Sequence, residues 1–169
     1  GLEDVKVPKH SYGLTENAEY TGKNIRIESG YFCFELWHTG QFLVNIEMQV
    51  PGRHYVENAI GAAAMAMSVG VEIQTIKKAL ESFKGVKRRF DIRIKEPDCV
   101  YIDDYAHHPE ELRNTLEATR ALYPDKKICA VFQPHLYSRT RDFAEDFAKV
   151  LSMADCLVLL DIYPAREEP

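Results

Sequence analysis

Three short apolar runs, CVYID, KICAVF and CLVLLD, recur in the second half of this chain, each separated from the next by one helix-length pattern. That spacing constrains the fold more than any other feature. The first intervening segment, PEELRNTLEATRALYP, has Pro109 suited to a first helical turn and Leu112, Leu116 and Leu122 along one face. The second, RTRDFAEDFAKVLSMA, carries Phe143, Phe147 and Leu151 at fourfold spacing and reads as one helix. Strand-helix-strand units of this length imply parallel pairing through right-handed crossovers, so this half reads as α/β and Rossmann-like.

The first half has a different pattern. NIRIE, YFCFELW and FLVNIEMQV alternate or run apolar between the turns ESG and HTGQ, so residues 24–50 read as a three-stranded antiparallel meander. Pro51 and Gly52 end it. VENAIGAAAMAMSVG follows as a helix closed by Gly70, with Ala and Gly dense enough to demand close packing against another element. VEIQTIKKALESF is a second helix, with Ile73, Ile76, Leu80 and Phe83 at steps of three and four. The boundary between the halves falls near residues 85–90.

A chain of 169 residues with 46% hydrophobic content can bury a real core. Its net charge of -5 and lack of a long Lys/Arg block exclude a general affinity for nucleic acid or anionic membranes, which leaves small molecules as partners. Four scattered cysteines without a C-x-x-C pair read as reduced thiols of a cytoplasmic protein. No apolar run approaches the ~18 residues of a membrane span, and GLEDVKVPKH has neither the basic start nor the apolar middle of a leader. Oligomeric state is not legible.

In an open parallel sheet, ligands bind beyond the carboxyl ends of the strands. The loops leaving the three runs there are DDYAHHP, QPHLYSRT and DIYPAREEP, whereas the opposite turns, LYPDKK and LSMAD, are ordinary. Asp103 and Asp104 are suited to a ribose diol or a metal; alternatively one of them, Asp103 first, serves backbone N–H groups of the turn. Adjacent histidines on a tight turn diverge, so His107 and His108 do not make a metal cage. One is suited to donating to a bound anion and the other to capping or packing at the next helix start. At least one of Arg139 and Arg141 should face an anion, with Arg141 the better candidate for a solvated pair. Lys87, Arg88 and Arg89 form a basic cluster at the junction, where an inward arginine can meet a phosphate. His54 and Asn58 lie four apart at a helix start. No G-x-x-x-x-G-K-[ST] loop occurs, so any nucleotide triphosphate would need its phosphate cradle from elsewhere.

PGRHYVENAIGAAAMA, FKGVKRRFD, VYIDDYAHHPEEL, FQPHLYSRTRDF and LLDIYPAREEP occur in this order and at this spacing, and together they resemble the Mur ligase family over nearly the whole chain. The FQPH-x-Y-S-R-T segment is similar to that of its alanine-adding members. The resemblance implies that residues 1–86 are the back portion of a central ATPase-like domain and residues 87–169 most of a Rossmann-like C-terminal domain. The UDP-sugar domain, the phosphate loop with its lysine, most magnesium ligands and the closing strands of the last sheet are then expected outside this sequence, which alone would be inactive. It further implies ATP and magnesium as cofactors, with no metal ligand among these residues, and L-alanine and UDP-N-acetylmuramate as substrates joined through an acyl phosphate.

By the same resemblance, Asn58 contacts adenine, Asp104 the ribose with Tyr105 beside it, and Arg89 the γ-phosphate. Tyr105, His107, His135 and Arg139 surround the alanine, with Arg89 and His107 the catalytic pair. Tyr55 and Leu136 depart from the family pattern, which has asparagine and often a second arginine there. Three rivals stay open: a ligase that recycles a murein tripeptide, a nucleotide-binding module without catalysis, and a metal-dependent hydrolase built on Asp103, Asp104, His107 and His135.

Overall fold

The computed structural model describes residues 9–168. Residues 1–8, read above for the absence of a leader, lie outside them. The chain divides into two compact units, one ending at Lys84 and the other beginning at Gly85.

In the first unit β1 (Tyr12–Gly13), β2 (Tyr20–Glu28), β3 (Tyr31–His38) and β4 (Gln41–Met48) form one sheet in sequence order. The meander β2-β3-β4 is antiparallel, as the alternation requires. The short β1, parallel to β2, had no sequence signal beyond two residues. The register puts Phe32, Phe34 and Leu36 of β3 opposite Met48, Ile46 and Val44 of β4 on one buried face. The helices α1 (Arg53–Ser68) and α2 (Ile73–Ser82) complete this unit's core. α1 buries Val56, Ala59, Ile60, Ala63 and Ala64. Its small residues do admit close neighbours: a Cβ on Gly61 would stand 2.8 Å from the Tyr12 ring, and one on Gly22 2.7 Å from Ile60 Cδ1.

The second unit starts with β5 (Asp91–Lys95), which pairs antiparallel with β6 (Val100–Asp103). The sequence signal of β5 is weak, because KRR and EPD closely flank the alternating DIRIK. After α3 (Pro109–Leu122) comes β7 (Cys129–Phe132), which pairs in parallel with β8 (Cys156–Leu159). The expected single helix before β8 is two, α4 (Tyr137–Asp142) and α5 (Ala144–Leu151). Phe143 leaves helical geometry at φ -117° and ψ 22°, yet the Phe147 N–H still bonds its carbonyl at 2.9 Å, so this is a kink in one path. The Phe143 ring lies 4.7 Å from His108 and packs against Phe132, Phe147 and Leu151, which fixes the bend. Leu116, Ile128 and Val150 form the adjoining cluster.

One pairing differs from expectation. The parallel ladder forms between β7 and β8, but β6 and β7 share none. A cleft of about 770 Å³ lies between them, lined by β6, by β7 and by Leu112, Thr115 and Leu116 of α3. The crossover thus joins strands that share no hydrogen-bonded ladder, and Asp103, Asp104 and Ala106 line the cleft where β6 ends. No helix among the described residues is long and apolar enough to cross a membrane.

Candidate functional site

The corner after β6 is folded around one carboxylate. Asp104 Oδ1 accepts the Ala106 N–H at 2.8 Å; Oδ2 accepts the Phe90 N–H at 2.8 Å and the Thr115 hydroxyl at 3.2 Å. The turn-serving role expected first of Asp103 therefore falls to Asp104. Asp103 is still in the ladder, paired with Asp91, so its side chain leaves the sheet and meets Arg88 Nε at 3.7 Å. Asp104 is one residue past the strand and free to turn back onto backbone donors.

These bonds also hold the basic junction. The Tyr105 N–H donates to the Arg88 carbonyl at 2.8 Å, and the Arg88 guanidinium lies 4.9 Å over the Tyr105 ring. Arg88 and Phe90 have φ of 60° and 49°, a left-handed conformation that non-glycine residues adopt at a cost, and the Asp104 and Tyr105 bonds hold it. Arg89 is exposed, with Nη1 3.7 Å from Glu111 Oε1. Within its unit it does not point inward.

Glu111, which sequence reasoning did not single out, links Arg89 to the histidine corner. Its Oε2 accepts the His107 N–H at 2.9 Å and lies 3.4 Å from His107 Nδ1. Burial pushes the Glu111 carboxyl up, but the His107 N–H, the His107 ring, Arg89 and the His108 N–H together outweigh it and hold the group below the usual glutamate value. His107 and His108 diverge as expected. His108 caps α3, its Nδ1 accepting the Glu110 N–H at 3.4 Å, and packs on Phe143.

The loops after β6, β7 and β8 meet. The His107 and His135 rings are 6.3 Å apart, and His135 in turn stacks on Tyr163 at 5.5 Å. Tyr163, a second residue the sequence reading did not name, exchanges main-chain bonds with this loop: its N–H donates to Pro134 and its carbonyl accepts from Leu136. Glu167 accepts both the N–H and the hydroxyl of Ser138 at the start of α4. Leu136 is held at φ 74° by this frame. A lone residue in a polar loop gives no periodic signal, which is why these partners were not legible.

His135 Nδ1 and Arg139 Nη1 are buried and have no hydrogen-bond partner among the described residues. A guanidinium nitrogen withdrawn from water without an acceptor is costly, so an acceptor brought to this corner would be favoured. Arg141 is solvated and paired with Asp142 at 2.9 Å. Asn58 belongs to the first unit, exposed on α1. Among the described residues no three His, Cys, Asp or Glu side chains group to hold a metal ion. Two of the hydrolase reading's four ligands are committed otherwise, Asp104 to its three donors and His107 Nδ1 to the Tyr105 carbonyl.

Comparison with known proteins adds a context to this geometry. Across 159 residues, 94% of its length, the chain is 53% identical to a UDP-N-acetylmuramate–L-alanine ligase of Christiangramia forsetii, of which it spans 35%. It therefore covers about a third of the curated relatives it matches. The crystal structure of a UDP-N-acetylmuramate-alanine ligase from Thermotoga maritima matches 91% of this chain and 34% of its own, with a TM-score of 0.80 at 32% identity. A MurF ligase from the same organism, solved in complex with ADP, shares the fold at a TM-score of 0.72 and 19% identity, over 89% of this chain and 35% of its own. Residues 88–169 match the family model described as Mur ligase, glutamate ligase domain. Both units are covered by these likenesses to about a third of a Mur ligase, and within the second, residues 88–169 belong to the Mur ligase, glutamate ligase domain family.

Proposed function

We propose that this chain is the part of an ATP-dependent ligase that positions L-alanine, and one wall of the ATP site, for joining alanine to the carboxylate of UDP-N-acetylmuramate. The observation that carries the reading is the pair of buried, unpartnered donor-capable groups, His135 Nδ1 and Arg139 Nη1, beside the His107 corner. A small amino acid offers what that arrangement calls for, a carboxylate for Arg139 and an amine for the histidines. The glutamate ligase domain over residues 88–169 and the alanine ligases matched across both units support the choice of reaction.

On this reading ATP phosphorylates the muramic acid carboxylate, and the alanine amine displaces phosphate from the acyl phosphate to give the amide. Asn58 takes the adenine, Asp104 and Tyr105 the ribose side, and Arg89 the transferring phosphoryl group. Charge around that group and alignment of the amine supply most of the rate. Asp104 has one lone-pair direction left for a ribose hydroxyl once its three donors are counted, so its ligand role is added to its structural one. Magnesium, which such phosphoryl transfer uses, has no cage among these residues. The reaction is cytoplasmic, consistent with Cys33, Cys99, Cys129 and Cys156 all being free thiols.

The test is a chimera in which this sequence replaces the matching segment of the Christiangramia forsetii ligase, assayed for ATP-dependent amide formation. Product with UDP-N-acetylmuramate and L-alanine is expected. Product only with a murein tripeptide would move the reading to the recycling ligase, and a folded chimera that binds nucleotide without forming amide would leave a binding module.

A further inference from the structure

Among the described residues, the Nδ1 of His107 faces two acceptors. Its Nδ1 lies 2.9 Å from the Tyr105 carbonyl oxygen and 3.4 Å from Glu111 Oε2. A carbonyl and a carboxylate only accept, so Nδ1 must carry the hydrogen. When the ring is neutral, its lone pair then belongs to Nε2, on the far side of the ring from the Tyr105 carbonyl. The same Glu111 oxygen takes the His107 backbone N–H at 2.9 Å, so one carboxylate fixes both the residue and its tautomer.

We infer that His107 is a fixed proton acceptor, held as the Nδ1–H tautomer by the Tyr105 carbonyl and Glu111, with Nε2 receiving a proton from an ammonium-bearing substrate. This reverses the role expected of one histidine here, donation to a bound anion. In the step, an N–H bond of the substrate ammonium breaks and its electron pair stays on the amine nitrogen. The proton bonds to Nε2. The imidazolium so formed keeps Nδ1–H on the Tyr105 carbonyl and gains attraction to the Glu111 carboxylate, while the freed amine has the lone pair that attack on an acyl group requires. Glu111 is a positioning residue: it touches His107 and Arg89, not the reacting atoms. The base role rests on the amino-acid ligase reading; the tautomer does not.

The two are tested separately. In the 169-residue chain with 15N-labelled imidazoles, long-range proton–nitrogen correlation above the titration of the ring should show His107 Nδ1 at the pyrrole-type position and Nε2 at the pyridine-type position. The opposite pattern overturns the inference, with or without any variant. Glu111→Gln keeps an oxygen for the His107 N–H but loses the charge, and should shift population toward the Nε2–H form. An unchanged pattern removes Glu111 from the assignment. In the chimera, His107→Gln should lower kcat by about 100-fold or more with little change in KM for ATP. A chimera inactive with His107 in place counts against the ligase reading alone, whereas an active chimera that keeps its turnover as His107→Gln overturns the base.

Discussion

Replacing Asp104 by alanine should loosen the corner and the basic junction together. The carboxylate satisfies three donors, but they are not equal in what its loss leaves behind. The Thr115 hydroxyl retains the Glu111 carbonyl at 3.1 Å, whereas the Phe90 and Ala106 N–H groups have Asp104 as their acceptor. Each stranded N–H costs about 1–3 kcal/mol, toward the lower end here because the corner is half-buried, so the expected loss is about 3 kcal/mol. At about 1.4 kcal/mol per decade this is roughly 100-fold in the local opening equilibrium. Amide hydrogen exchange at Phe90 and Ala106 reads it directly. Asp104→Asn should show about half the effect, since its one carboxamide oxygen serves one N–H while its NH2 confronts the other, and Thr115→Val should show little. The sole tryptophan, Trp37, lies in β3 of the first unit, so its unfolding transition serves as the control. Unchanged exchange at both amides in Asp104→Ala would refute the reasoning.

Two glycines separate tight packing from adjustable packing. Gly22→Ala meets Ile60, which is wholly buried, and should cost about 2–3 kcal/mol in Trp37-detected denaturation, while Gly61→Ala meets the half-exposed Tyr12 ring and should cost about 1 kcal/mol. Asp155 accepts the Ile128 N–H and pairs with Arg120, and these hold its carboxyl below the ordinary aspartate value. A group depressed in the folded state stabilises above its unfolded value and loses that contribution as pH falls through the folded one, so acid should weaken the second unit from about pH 4 downward. Asp155→Asn should flatten that limb in urea melts followed by second-unit resonances. In the chimera, Arg139→Ala should raise the KM for alanine by roughly 10- to 100-fold, the worth of one charge-assisted hydrogen bond, and leave ATP use unchanged.

The parts of the fold that were legible are those where one periodicity governs a whole segment. The meander could be read because β4 buries alternate residues and β3 runs apolar between two turns, and α3 because Pro109 opens it and Leu116 faces the core. What escaped was decided by tertiary contact. The kink at Phe143 exists because that ring is claimed at once by His108 and by the Phe132 cluster, and a fourfold aromatic spacing is the same for a straight helix as for a bent one. The absent ladder between β6 and β7 is of the same kind, since a strand-helix-strand pattern sets the hand of the crossover and not how closely the two strands approach.

The site divides along a related line. Residue types singled out three polar loops, and those loops do converge, with His107, His135 and Tyr163 in ring-to-ring succession. The division of labour inside a loop was not available, because it depends on which side chain is still committed to a ladder and which has left it. Asp103 and Asp104 are chemically identical neighbours, and only the end of β6 between them sends one to Arg88 and the other back onto three donors. The same logic explains why Glu111 stayed hidden. One helical turn from His107 it looks like an ordinary acidic residue favouring the start of α3, and it becomes part of the site only because the corner turns the His107 backbone and ring onto a single carboxylate oxygen.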